Sequence, residues 1–120
     1  MKVPTRIMSV HCVVTFPDVV DIENAPGMRD ALRTVIHAHG DACRTLVADL
    51  STSRFATATA LSVLVEARNL ARTKGMTLCV VAPAPLTRKV FTLTGLREVM
   101  PLYRTLSDLP TVPPPSPPAA

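Results

Sequence analysis

Side chains able to do chemistry are few in this chain, and they are scattered. The histidines are His11, His37 and His39, and the cysteines are Cys12, Cys43 and Cys79. No G-x-S-x-G elbow accompanies any serine, so acyl-transfer chemistry has no assembled nucleophile. His37 and His39 stand two apart in a stretch of helical periodicity, where their side chains diverge and cannot share a metal ion. The cysteines lack C-x-x-C spacing, and an odd number makes neither a disulfide framework nor a zinc site. Cys12 and Cys79 fall in apolar runs and read as small buried hydrophobes. Cys43 heads such a run and is expected to be more exposed, where a low-pKa thiol would act as a redox switch. The four glycines, Gly27, Gly40, Gly75 and Gly95, form no phosphate cradle, which excludes a P-loop or dinucleotide site. Asp18 and Asp21 are not enough for a phosphoacceptor receiver: Asp49 lies inside an apolar run, and MTLCVVA is followed by PAPLTR rather than a lysine.

The elements that must position these residues alternate along the chain. Residues 10–16, VHCVVTF, read as a strand ended by Pro17. A helix follows, with Pro26 at its first position, Met28, Ala31, Leu32, Val35, Ile36 and His39 on one face, and Gly40 as a left-handed stop. Residues 44–50 and 76–82 read as strands, and residues 59–74 and 85–94 as helices stopped by Gly75 and Gly95. Residues 99–103 read as a last edge strand because Pro101 cannot donate to a central ladder. Residues 105–109 could begin a helix that Pro110 cuts short, and residues 1–9 could add a strand beside residues 10–16. Strand–helix alternation predicts an α/β fold with a mostly parallel sheet of four to five strands. Runs apolar on both faces predict a sheet covered by helices on both sides. Such folds place their sites in loops at the strands' carboxyl ends, here 17–25, 50–58, 82–86 and 104–106.

One of these loops carries a recognisable pattern. Residues 45–65 read TLVADLSTSRFATATALSVLV, with Asp49-Leu50-Ser51, then Phe55, then Thr57-Ala58-Thr59-Ala60-Leu61. The stretch resembles the STAS domain of anti-sigma factor antagonists and sulfate-transporter tails, in which D-L-S is followed by an aromatic and by D-S-[ST]-G-L-G-x-L. DIENAPGMRDAL and VAPAPLTRKVFTLTGLREVMPLYRTLSDL are similar to further STAS segments, so the resemblance covers residues 10–109. It implies a single STAS-like domain over residues 1–109 and a non-enzymatic interaction module. It also implies a partner: an anti-sigma factor of the ATP-dependent Ser/Thr kinase type, bound by the dephosphorylated antagonist so that a sigma factor is freed.

The chain departs from the pattern at its switch. Ala58 stands where the family carries its phosphorylated Ser, Thr57 replaces the preceding Asp, and Ala60 replaces a Gly. Ala58 has no hydroxyl. Either Thr57 or Thr59 takes over, or the switch is lost; the second reading is preferred, with both threonines also serviceable as helix caps. The resemblance places partner contacts at Asp21, Asn24, Arg54, Phe55, Thr57, Ala58, Thr59, Leu61 and Ser62. Leu61, Val65, Arg68 and Arg72 would form an apolar–basic strip beside the helix start, suited to an acidic partner. Another reading consistent with the family is an accessory subunit of a membrane transport system.

Composition narrows the classes further. The chain has 120 residues, with 13 Lys+Arg against 9 Asp+Glu, and 48% are apolar, which suits one folded domain rather than a disordered one. Four aromatic residues, Phe16, Phe55, Phe91 and Tyr103, are too few for a nucleic-acid stacking platform. No apolar run approaches the ~20 residues that span a bilayer, and the first residues lack a secretory h-region and cleavage site. A cytoplasmic protein needing no cofactor and no metal, monomeric or weakly dimeric, is expected. Six of the 12 prolines fall within residues 110–120, which predicts a Pro-rich, disordered tail there.

Overall fold

The structure is a computed structural model, and it describes residues 3–53 and 57–110. Its strands are β1 (Thr5–Met8), β2 (His11–Thr15), β3 (Thr45–Asp49), β4 (Thr77–Val81) and β5 (Leu102–Tyr103). Its helices are α1 (Ala25–His39), α2 (Ala58–Thr73) and α3 (Pro85–Leu93), and short 3-10 turns occupy Leu96–Glu98 and Leu106–Asp108. The strands form one sheet in the order β1-β2-β3-β4-β5. β1 is antiparallel to β2 and the other three pairings are parallel. The α/β class and the mostly parallel sheet therefore match the expectation, and the strand foreseen within residues 1–9 exists.

The β1–β2 turn carries no glycine or asparagine to announce it. Met8 pairs with His11 across a two-residue loop, and Ser9 takes φ +57 at its first position. A tight hairpin needs a positive φ there, which Gly or Asn usually supplies.

Alternation along the strands divides the core in two. Cys12, Val14, Leu46, Ala48, Leu78 and Val80 share one cluster with Met28, Leu32 and Ile36 of α1, Val63, Leu64 and Ala67 of α2, and Phe91 of α3. All three helices thus pack on the same side. Successive right-handed crossovers between neighbouring strands give this result, because each turns the same way. The sequence reading of helices on both sides is corrected here. On the opposite side Val13, Val47, Cys79 and Val81 are covered by Met8, Tyr103, Leu106 and Leu109. A continuous apolar run shows that both strand faces are buried, but not by what.

Two further boundaries differ from expectation. Gly40 is not left-handed: it takes φ −58 and ψ −27. A Cβ there would sit 2.9 Å from the Ile36 carbonyl and 3.1 Å from the Lys74 Cβ, so Gly40 serves the close approach of α1's end to α2's end. Gly75 is left-handed as read, with φ +74. Its N–H reaches the Arg72 carbonyl at 3.1 Å and the Met76 N–H reaches the Ala71 carbonyl at 2.9 Å, a Schellman closure. The last strand has two residues rather than five, since Val99 and Met100 close a turn back onto Leu96. β5 is nonetheless an edge strand, as Pro101 requires.

Arrangement at the carboxyl end of the sheet

Two loops meet where β2 and β3 end, and hydroxyl groups tie them together. Thr52 Oγ1 donates to the Phe16 carbonyl at 3.0 Å, and Ser53 Oγ donates to the Pro17 carbonyl at 2.9 Å. Asp49 accepts from the Ser51 N–H at 3.0 Å and from the Ser51 hydroxyl. The polar residues after the D-L-S step therefore hold the loop in place.

Residues 19–25 are locked by a reciprocal pair. The Asp21 N–H donates to Asn24 Oδ1 at 2.8 Å, and the Asn24 N–H donates to Asp21 Oδ1 at 2.9 Å. Asn24 Nδ2 adds a bond to the Val19 carbonyl at 2.8 Å. Asp21 and Asn24, read as partner contacts, thus shape the loop that carries Ile22, whose side chain is 84% exposed. Sequence reasoning missed Ile22. Its signal was an apolar residue set between Asp21 and Glu23 in a turn-rich segment.

Thr57 joins this loop to α2. Its hydroxyl donates to the Val20 carbonyl at 2.6 Å and accepts from the Ala60 N–H at 2.9 Å, capping the helix. Ala58 follows, exposed, as the first residue of α2. Thr59 is half-buried and has no side-chain hydrogen bond among the described residues. Of the two threonines, only Thr57 acts as a cap. Val20, Asp21, Ile22, Glu23, Thr57 and Thr59 line a shallow concavity of about 390 Å³. Its charged residues, Asp21 and Glu23, are both acidic.

The remaining candidates divide. Ser62 is exposed on α2, while Leu61 and Val65 are half-buried and pack against the main core. Arg68 corrects the expectation outright. It is 8% exposed, and its Nε and Nη2 have no hydrogen-bond partner among the described residues, so no apolar–basic strip reaches solvent through it. Its spacing with Leu61 and Leu64 put it at the rim of the buried face, and packing took it inward. Arg54 and Phe55 lie outside the described residues.

Cys43, expected to be accessible, is 4% exposed. Burial pushes its thiol pKa up, partly offset by a hydrogen bond with Cys12. Burial also raises Cys12 to about 11 and Cys79 to about 12. A redox switch through Cys43 has neither the access nor the acidity it needs. Among the described residues no group of His, Cys, Asp and Glu could hold a metal ion. No helix among them is long and apolar enough to cross a membrane.

The sequence profile of the STAS domain matches residues 2–109. The chain belongs to the STAS domain family. It is similar to the crystal structure of an anti-sigma factor antagonist from Mycobacterium paratuberculosis, with 30% identity, a TM-score of 0.76, and 89% of this chain and 88% of that one covered. Two structures of SpoIIAA share the fold. The antagonist in its unphosphorylated form has 16% identity and a TM-score of 0.70 over 89% of this chain and 91% of that one. The Bacillus cell fate determinant in its phosphorylated form has 17% identity and a TM-score of 0.65 over 89% and 95%. No curated protein matches the chain. Its structural neighbours are anti-sigma factor antagonists, a kind of STAS protein that is generally non-enzymatic.

Proposed function

We propose that this STAS domain binds an anti-sigma factor of the ATP-dependent kinase type and so frees a sigma factor, and that it does so without a phosphoryl switch. The contact surface is the loop around Asp21, Ile22 and Asn24 together with Thr57, Ala58, Thr59 and Ser62 on the first turns of α2. Leu61 and Val65 support it from beneath.

One observation carries the reading: the exposed first residue of α2 is Ala58, flanked by a Thr57 hydroxyl already spent in both directions. A phosphoryl group on Thr57 would remove the Ala60 cap and the bond to Val20. It would also place about −1.5 to −2 charge beside Asp21 and Glu23. Thr59 is the remaining acceptor. Incubation with an anti-sigma factor kinase and Mg-ATP, read by intact mass, is expected to leave the wild type unmodified and the Ala58→Ser variant carrying one phosphate. A phosphate on wild-type Thr59 overturns the lost switch. In the same mixture, sedimentation should show wild type still bound to the kinase after ATP addition and Ala58→Ser released. Absence of any complex with the kinase overturns the binding role.

A further inference from the structure

The arginines after residue 82 gather at one flank of the fold, which gives them no acidic partner. Arg88 leaves α3 toward β5 and is held there. Its Nη1 donates to the Ala82 carbonyl at 3.2 Å, and the Ala82 N–H donates to the Tyr103 carbonyl at 2.9 Å. Arg104 follows Tyr103 directly, so it stands beside Arg88. Arg97 lies on the turn Leu96–Glu98 that leads from α3 to β5. Burial, and then the positive charges of Arg104 and Arg97, lower the Arg88 pKa, so both of these groups lie close to the Arg88 guanidinium. Asp108 opposes them, and its Oδ2 already accepts from the Thr105 N–H at 3.2 Å. Arg88 is half-buried, Arg97 and Arg104 are exposed, and none of the three has an ion pair among the described residues.

Like charges brought together without a counter-charge repel one another, and an anion relieves them. Residues 83–110 carry Arg88, Lys89, Arg97 and Arg104 against Glu98 and Asp108, a net of 4 − 2 = +2. A phosphate monoester carries about −1.5 to −2 at pH 7 and matches that charge, whereas a carboxylate matches half of it. The residue type agrees. A guanidinium bonds phosphate oxygens in parallel pairs, and the Arg88 fork is already aimed by its bond to Ala82. The flank is also polar. Arg88 lies about 200° around α3 from Leu86 and about 140° from Leu93, so neither exposed leucine borders the arginines. Ile7 and Ile22, the other exposed large apolar residues among the described ones, belong to β1 and to the loop before α1. A lipid surface calls for an apolar anchor beside its basic groups, and this flank has none, which favours a soluble ligand.

We propose that Arg88, Arg97 and Arg104 form a binding site for a soluble phosphate monoester, with Arg88 as the fixed fork and the other two reaching the phosphoryl oxygens from the turn and from the end of β5. The site lies on the flank of α3 that faces away from α2, so it does not depend on the partner surface proposed above.

Proton–nitrogen correlation spectra of the full chain at constant ionic strength test it, with glycerol 3-phosphate as the probe. The Nε–H signals of Arg88, Arg97 and Arg104 should shift together and saturate with a Kd of about 1 mM, the strength of a few charge-assisted hydrogen bonds at an exposed site. Acetate should bind about tenfold more weakly. Arg97→Gln and Arg104→Gln should each weaken the phosphate about threefold, the worth of an exposed ion pair, with unchanged far-UV circular dichroism. Arg88→Lys keeps the charge but loses the fork, and should weaken binding more than either. Shifts that never saturate, or that reach Arg6 and Arg44 equally, mean an adventitious ion only and overturn the proposal. Equal binding of acetate overturns it too. Co-sedimentation with phosphatidylcholine vesicles containing phosphatidic acid, without a response to the soluble probe, overturns it in favour of a membrane surface.

Discussion

Thr57 shows how one side chain can settle a local structure and a regulatory question together. As a donor it holds the Val20 loop, and as an acceptor it caps α2, so no lone hydroxyl is left at the position before Ala58. The cysteines settle another question by burial. In the unfolded chain their thiols ionise near the ordinary 9.0, whereas Cys12 and Cys79 in the fold hold their protons to about 11 and about 12. Above pH ~9 the unfolded state therefore releases protons that the folded state keeps, and stability falls as pH rises. Urea-unfolding midpoints should be flat from pH 7 to about 8 and decline toward pH 10.5, with a shallower decline in Cys79→Val. Below pH 8 the native thiols should resist alkylation that unfolded protein undergoes readily. Cys12 and Cys79 were legible in the sequence as buried residues because they sit mid-run. Cys43 was misread because it stands at the head of its apolar run rather than within it, and no pattern showed that α1's end would close over it.

At the scale of elements, the two glycines at helix ends differ in kind. Gly75 has open space around its missing Cβ but a left-handed backbone, and Gly40 has an ordinary backbone but no space. Gly75→Ala should cost about 1 kcal/mol, the strain of an L-residue at positive φ. Gly40→Ala should cost about 1–3 kcal/mol through overpacking, because Lys74 and the α1 terminus must separate. Asn at each position separates the causes in chemical denaturation. It should restore much of the loss at Gly75, since Asn tolerates αL, and worsen the loss at Gly40. Helix stops were legible as stops in both places, yet a glycine in a sequence does not say whether the backbone or the neighbour requires it. Similarly, Pro101 announced an edge strand, while its shortness came from a turn closed by the Leu96 carbonyl, which only three-dimensional packing decides. The order of strands and helices was fully legible. Arg68 was not, since a basic residue at the rim of an apolar face can face either way.

For the whole molecule, the +4 net charge conceals a polarity. The loop before α1 is acidic and the α3–β5 edge is basic, so the sum understates both surfaces.

The second sheet face has a consequence for truncation. Val13, Val47, Cys79 and Val81 receive most of their cover from Tyr103, Leu106 and Leu109, with Met8 beside them, and His11 Nε2 donates to the Pro110 carbonyl at 2.7 Å to fasten that segment. A chain ending at residue 100 would hold β1 to β4 and α1 to α3, yet one side of its sheet would keep only Met8 as cover. The helical half of the fold is thus built from residues before 101, while the other face depends on residues that come after them. Removing Leu106 and Leu109 would leave that face of the sheet open.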